Sequence, residues 1–98
     1  MILNRNDQVA IGTTAVLVSQ PAYTGGERIF WLYTNVSTSG QIITLAVNDI
    51  PVANSGIVLY PGGSYGETKD ARTDCTQDPI RAIASAASGV LAVAERRN

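Results

Sequence analysis

Arg28-Ile29-Phe30-Trp31-Leu32-Tyr33-Thr34-Asn35-Val36 carries the strongest structural signal in the chain. Isoleucine, phenylalanine, tryptophan, tyrosine, threonine and valine suit a pleated, half-buried surface. Nothing in the stretch breaks it. Side chains of a strand alternate between two faces. Phe30, Leu32, Thr34 and Val36 therefore share one side, and Ile29, Trp31, Tyr33 and Asn35 the other. The first set, with Phe30 and Leu32, reads as the core face of a central strand. The second then presents two large amphipathic rings side by side.

Outward from this stretch the same texture repeats. Residues 11–19, 41–47, 57–60, 80–86 and 90–95 are further β-forming runs. Gly25-Gly26, Ser39-Gly40, Asn54-Ser55-Gly56, Pro61-Gly62-Gly63 and Ser88-Gly89 cut them. Short runs recurring every ~8–12 residues between turn signals indicate a sandwich or barrel. The expectation is all-β: a small antiparallel β-sandwich or jelly-roll-like barrel of about six to eight strands, with residues 1–98 as one domain.

The runs also suggest local pairings. Residues 1–7 are polar after Leu3 and read as an N-terminal arm. Val9 and Ile11 lead into 13–19, apolar on both faces like a strand covered on both sides. Pro21 ends that run, and residues 23–26 connect it onward. The polar turn at 37–40 predicts a hairpin of 28–36 with 41–47. Asn48-Asp49-Ile50-Pro51 interrupts, because short polar side chains bond the local backbone. A brief strand is expected at 65–68 after the Pro-Gly-Gly turn. Residues 69–79 hold Asp70, Asp74 and Asp78, with only Cys75 strongly apolar, and read as a surface loop. Ser88-Gly89 makes 80–86 and 90–95 a closing hairpin. Ala82, Ala84, Ala92 and Ala94 give it a small-residue face that permits close approach. The rival for 80–87 is a helix, on alanine's propensity.

Composition excludes several function classes. Seven basic residues face eight acidic ones, whereas nucleic-acid binders concentrate Lys and Arg to displace phosphate counterions. Arg96-Arg97 is the nearest thing to a basic cluster; it reads as a solvated tail or as a docking contact for an acidic neighbour. No apolar run is long enough for a transmembrane helix, and no signal peptide is evident. Charged residues are 15% of the chain and hydrophobic ones 45%. So sparse a surface charge favours burial against a partner. The lone Cys75 forms no intrachain disulfide and fits a reducing compartment of synthesis.

Chemistry-bearing patterns are scarce. The chain has no histidine, and a Ser or Cys nucleophile needs a base. Lys69 is the sole lysine. Glu27, Glu67 and Glu95 could form a glycosidase pair in principle, but read as surface charge. Asp70, Asp74 and Asp78 lack the spacing of a calcium loop. Gly62-Gly63-Ser64 lacks the Lys-Ser/Thr of a phosphate loop. The expectation is a non-enzymatic protein with no cofactor and no metal. Trp31, Tyr33, Tyr60 and Tyr65 suit a protein hot spot or a sugar-stacking platform, unless Trp31 simply fills the core. With Arg96 and Arg97 they form the candidate interface.

Four stretches, spanning about Ile11 to Glu95, carry a resemblance. They are Ile11-Gly12-Thr13-Thr14-Ala15, then 28–35, then Gly56-Ile57-Val58-Leu59-Tyr60-Pro61-Gly62-Gly63-Ser64, and last 80–85 with Ser88-Gly89-Val90. Together they resemble small β-sandwich virion proteins of tailed bacteriophages, of the capsid decoration, cement or head-fibre type. The resemblance implies a virion protein on the capsid surface, synthesised in the host cytoplasm. Its partner would be the major capsid protein or another virion protein, and its assembly a homo-oligomer, by analogy a trimer. The alternative is a receptor- or carbohydrate-binding module of a phage fibre or tail. A small cellular sandwich domain with no viral link is a third possibility.

Overall fold

The chain folds as one long ribbon doubled back near Pro51. In the computed structural model, which describes residues 3–21 and 26–98, eight strands form and no helix does. They are β1 (Leu3–Ile11), β2 (Val16–Ser19), β3 (Arg28–Asn35), β4 (Ile43–Val47), β5 (Ile57–Leu59), β6 (Ser64–Thr68), β7 (Ile80–Ala84) and β8 (Gly89–Arg97). The ladders are nested: β1 pairs β8, β2 pairs β7, β3 pairs β6 and β4 pairs β5, all antiparallel. Partner numbers add to 100 for Leu3–Arg97, 98 for Val16–Ala82, 98 for Phe30–Thr68 and 102 for Ile43–Leu59. A near-constant sum is the mark of a single hairpin centred on residues 49–51. Asn48 and Asn54 bracket that centre with φ of 54° and 63°, a left-handed conformation that asparagine tolerates better than most residues.

The ribbon then rolls up. Additional ladders join β3 to β8 and β4 to β7, giving two four-stranded sheets, β1-β8-β3-β6 and β2-β7-β4-β5. The all-β sandwich expected from the period-two pattern is present, in the strand order of a jelly roll. The local pairings differ from expectation. β3 and β4 lie in different sheets, as do β7 and β8, so neither expected hairpin forms. Only β4 and β5 are consecutive and paired. The run 11–19 is split as well: Ile11 ends β1 and Val16 begins β2 in the other sheet. A rolled ribbon sends nearly every connection across the sandwich, which local turn signals cannot reveal.

Two further expectations are corrected. Leu3 to Asp7 are not an arm; they are most of edge strand β1, in unbroken register with β8. Met1 and Ile2, and the expected connection at 23–25, lie outside the described residues. The face of β3 is inverted. Trp31 and Tyr33 are fully buried, while Leu32 is 38% exposed and Phe30 half-buried. β3 is nonetheless a central strand, between β8 and β6.

The core lies between the sheets. Trp31, Tyr33, Leu91 and Val93 of one sheet meet Ile43, Leu45, Leu59, Ile80, Ala82 and Ala84 of the other. The two alanine pairs part company: Ala82 and Ala84 face this core, whereas Ala92 and Ala94 are half-buried on the opposite side of β8. At one end, buried Asn35 donates to the carbonyls of Gln41 (2.7 Å) and Leu59 (2.8 Å) and accepts from Ser37 N (3.0 Å). One amide thereby fastens β3 to the opposite sheet. Residues 69–79 form no strand, as expected, but they are not simply solvated. Cys75 is buried, and its thiol donates to Glu67 O at 3.3 Å.

Candidate interaction surface

Strand alternation and register define the outer face of the β1-β8-β3-β6 sheet. Its successive rows are Asn4–Arg96–Phe30–Thr68, Asn6–Ala94–Leu32–Gly66 and Gln8–Ala92–Thr34–Ser64. Alanines in the second column sit between longer side chains on either side. The result is a shallow groove of about 390 Å³ along β8, bordered by Asn6, Gln8, Leu32 and Thr34. Leu32 leans over Gly66, where a Cβ would lie 2.1 Å from Trp31 O and 3.1 Å from Leu32 Cδ1. Glycine is the one residue that lets β6 approach there. Arg96 is the only charged side chain in these rows. It stacks over Phe30 at 5.6 Å and its Nε donates to Asn4 Oδ1 at 3.0 Å.

The sequence-derived interface residues divide between the inside and the outside. Trp31 and Tyr33 belong to the core, which corrects their assignment to a surface. Their rings meet edge to face, centroids 4.8 Å apart at 64°, a favoured aromatic geometry. Trp31 Nε1 donates to Glu67 Oε1 at 2.8 Å, and the Tyr33 hydroxyl bonds Ser19 Oγ. Both polar tips therefore find partners indoors. Tyr65 is 44% exposed at the sheet margin, tilted against Trp31 at 5.6 Å. Tyr60, on the turn after β5, is 63% exposed and makes no ring contact among the described residues. Arg96 is exposed, as a docking residue must be. Arg97 is 7% exposed, so the tail expected to be solvated is half core.

What the sequence did not reveal is a buried ionic node. Arg28 is fully buried, and Glu95 and Arg97 nearly so. Glu95 accepts from Ser19 Oγ (2.6 Å), Arg97 Nε (2.7 Å) and Arg28 Nε (3.3 Å). Each guanidinium also makes three hydrogen bonds to carbonyls. Arg28 reaches Thr76 O (2.5 Å), Asp78 O (3.0 Å) and Gln20 O (2.6 Å). Arg97 reaches Gln20 O, Pro21 O and Gly26 O. Gln77 completes the set by imitating a strand: its side chain accepts from Arg28 N and donates to Arg28 O, each at 2.8 Å. The signal that could have found the node is parity. Glu95 and Arg97 continue the inward series Leu91, Val93. Arg28 joins that side only because the β3–β8 register slips between Arg28 and Phe30, and no residue pattern announces the slip.

Electrostatics follow from this packing. Burial pushes the Glu95 carboxyl up, but the Ser19 and Arg97 hydrogen bonds and both guanidinium charges outweigh it, and the net shift is downward. Burial also dominates at Tyr33 and, despite the Ser19 bond, raises its hydroxyl to about 12. The Cys75 thiol is raised, first by burial and then by Glu67. Ser19 beside Glu95 is no reaction centre: both are enclosed and face carbonyls and guanidinium groups. Gly62-Gly63-Ser64-Tyr65-Gly66 spells the letters of a nucleophile elbow. That motif needs a strand running into a helix, and here Ser64 opens strand β6 instead. Among the described residues no three His, Cys, Asp or Glu side chains cluster as metal ligands would.

No protein-family model and no curated protein sequence matches the chain.

Proposed function

We propose that this is a non-enzymatic virion structural protein, a capsid decoration or cement protein that docks on the major capsid protein lattice. One observation carries the proposal: the outer face of the β1-β8-β3-β6 sheet holds a shallow groove along β8, and in its three rows of side chains Arg96 alone is charged. A monomer kept in solution by charge has no use for such a face. A protein bound many times over on an ordered shell does, since each copy adds stability by mass action. The jelly-roll order is compatible with this role, although lectins and cupins share it and fold alone does not assign function. The resemblance of the Gly56–Ser64 stretch and the closing segments to phage virion proteins adds a second, independent line. Exposed Tyr60 keeps the binding-module alternative in view, but that reading wants Trp31 beside it in a groove, and Trp31 is buried.

The test is co-sedimentation with particles that lack the protein. Ala94→Glu places a charge in the groove without touching the core. The expected result is a folded variant that no longer sediments with particles. A variant that binds like the original overturns the docking face, and an unaltered chain that never co-sediments overturns the decoration role itself.

A further inference from the structure

β1 is an edge strand of nine residues whose outer backbone groups have no partner strand among the described residues. The other edges are short: β2 has four residues and a register slip, β5 three and β6 five. Proteins usually blunt a long edge with proline, lysine or a bulge. β1 has none of these, and its ladder with β8 runs without a break. Its only protection is a pair of charges, Arg5 and Asp7, on the side of the sheet that faces the sandwich. Such charges repel an incoming strand unless it carries the opposite charge at both positions.

One strand does so: a second β1. Laid antiparallel across a two-fold axis at Asn6, the sequence Leu3-Asn4-Arg5-Asn6-Asp7-Gln8-Val9 complements itself. Leu3 faces Val9, Asn4 faces Gln8, Arg5 faces Asp7 and Asn6 faces its own copy. Partner numbers add to 12, so odd residues meet odd ones and even meet even. Side chains on each face therefore meet their own kind, and backbone groups free on one edge meet those free on the other, as an antiparallel ladder requires. Arg5 and Asp7 already pair within the strand, Nε to Oδ2 at 3.1 Å. Two copies would alternate four charges in a closed square. Any shift by two residues places like charges opposite each other or leaves them unopposed.

We infer that β1 is the contact by which two copies of this chain join, making one continuous eight-stranded sheet about a two-fold axis. That symmetry is isologous, the commonest in oligomers, and replaces the three-fold expected by analogy. β1 can pair in this way whatever the outer face of the sheet binds.

Cross-linking tests the register. In a Cys75→Ser background, Asn6→Cys puts two thiols on the axis, where facing Cα atoms lie about 4.5–5.5 Å apart, within disulfide range. Asn4→Cys and Gln8→Cys each lie roughly 13 Å from their own copies. Mild oxidation is expected to cross-link Asn6→Cys alone; equal cross-linking at all three positions, or none at Asn6→Cys, overturns the pairing. Sedimentation of the unaltered full chain tests the association. Asp7→Arg sets arginine against arginine twice and should weaken self-association by roughly tenfold or more. Arg5→Asp should do the same, and mixing the two variants should restore a dimer through opposite charges. Arg5 also donates to Val18 O at 2.7 Å, so circular dichroism must show each variant folded; if Arg5→Asp fails to fold, Asp7→Arg alone decides. A chain that stays monomeric at high concentration, or an Asp7→Arg dimer as tight as the original, removes the inference.

Discussion

Arg96 and Arg97 are neighbours in the chain and occupy opposite worlds. Arg96 lies on the outer face of β8, exposed, over Phe30 and beside Asn4. Arg97 lies on the inner face, enclosed, against Glu95 and three carbonyls. The same division runs the length of β8, with Leu91, Val93 and Glu95 inside and Val90, Ala92 and Ala94 outside. It runs along β3 too, with Trp31, Tyr33 and Asn35 inside and Phe30, Leu32 and Thr34 outside. Arg96 apart, the outer rows are uncharged, and the inner face holds both the largest rings and the buried ion pairs. Hydrophobicity alone does not sort residues in a thin sandwich. Volume and the chance of pairing every polar tip do.

That lesson explains what was legible. The period of two in β3 identified a strand and its two faces, but said nothing of which face turned inward. Phe30 and Leu32 are more apolar than Trp31 and Tyr33, and the ordinary preference puts them inside. Trp31 goes inside because Glu67 accepts its indole hydrogen, and Tyr33 because Ser19 meets its hydroxyl. Glu67 and Ser19 are remote in sequence, so the sequence offers no cue. The all-β class was legible because turn residues punctuate every run. The pairings were not, since a rolled ribbon makes long-range ladders from short-range signals. Of the interaction surface, Arg96 was legible as a docking residue and Ala92 and Ala94 as part of a small-residue face; only the register separated them from Ala82 and Ala84 and placed them in one groove.

The sharpest way to break the comparison is to remove the inner anion. Glu95→Ala leaves two enclosed guanidinium groups facing each other, and an unpaired buried charge costs about 3–5 kcal/mol. Urea denaturation should show the midpoint falling accordingly; a change no larger than that of a surface substitution would mean the node is hydrated. Acid should act in the same direction. Because the folded Glu95 pKa lies below its ordinary value, the stabilisation is full above the carboxylate range and lost as pH falls through it. The acid limb of the stability curve should be shallower in Glu95→Ala.

Next in size is the exchange of faces on β3. Trp31→Ala should cost about 3–5 kcal/mol. Leu32→Ala, at a half-solvated position over Gly66, should cost roughly 1 kcal/mol or less. The reverse ranking in chemical denaturation would restore the face that hydrophobicity favoured. Tyr33 then supplies an alkaline counterpart to Glu95. Its folded value of about 12 exceeds the ordinary 10.0, so its contribution is complete below pH 10 and is lost as pH rises from 10 through 12. The loss amounts to about 2–3 kcal/mol at most. Tyr33→Phe should flatten that limb, and an identical limb in both proteins would place the phenol in water.

The smallest effect is expected at Arg96, and it sharpens the comparison most, because its neighbour serves as the control. Arg96 contributes an exposed cation–π contact and one exposed hydrogen bond. Such contacts are worth about 0.5 kcal/mol against solvent and salt. Arg97→Ala removes one partner of an enclosed ion pair together with its hydrogen bonds to the carbonyls of Gln20, Pro21 and Gly26. Adjacent substitutions of the same type should therefore differ several-fold in stability. Raising ionic strength should erase what little Arg96 adds, since exposed charges are screened, and leave the Arg97 effect nearly intact. Thermal or urea midpoints of the two variants at low and high salt make the measurement. Equal losses for both would mean that the β8 parity, and with it the division into a docking face and a core face, is wrong at the end of the strand.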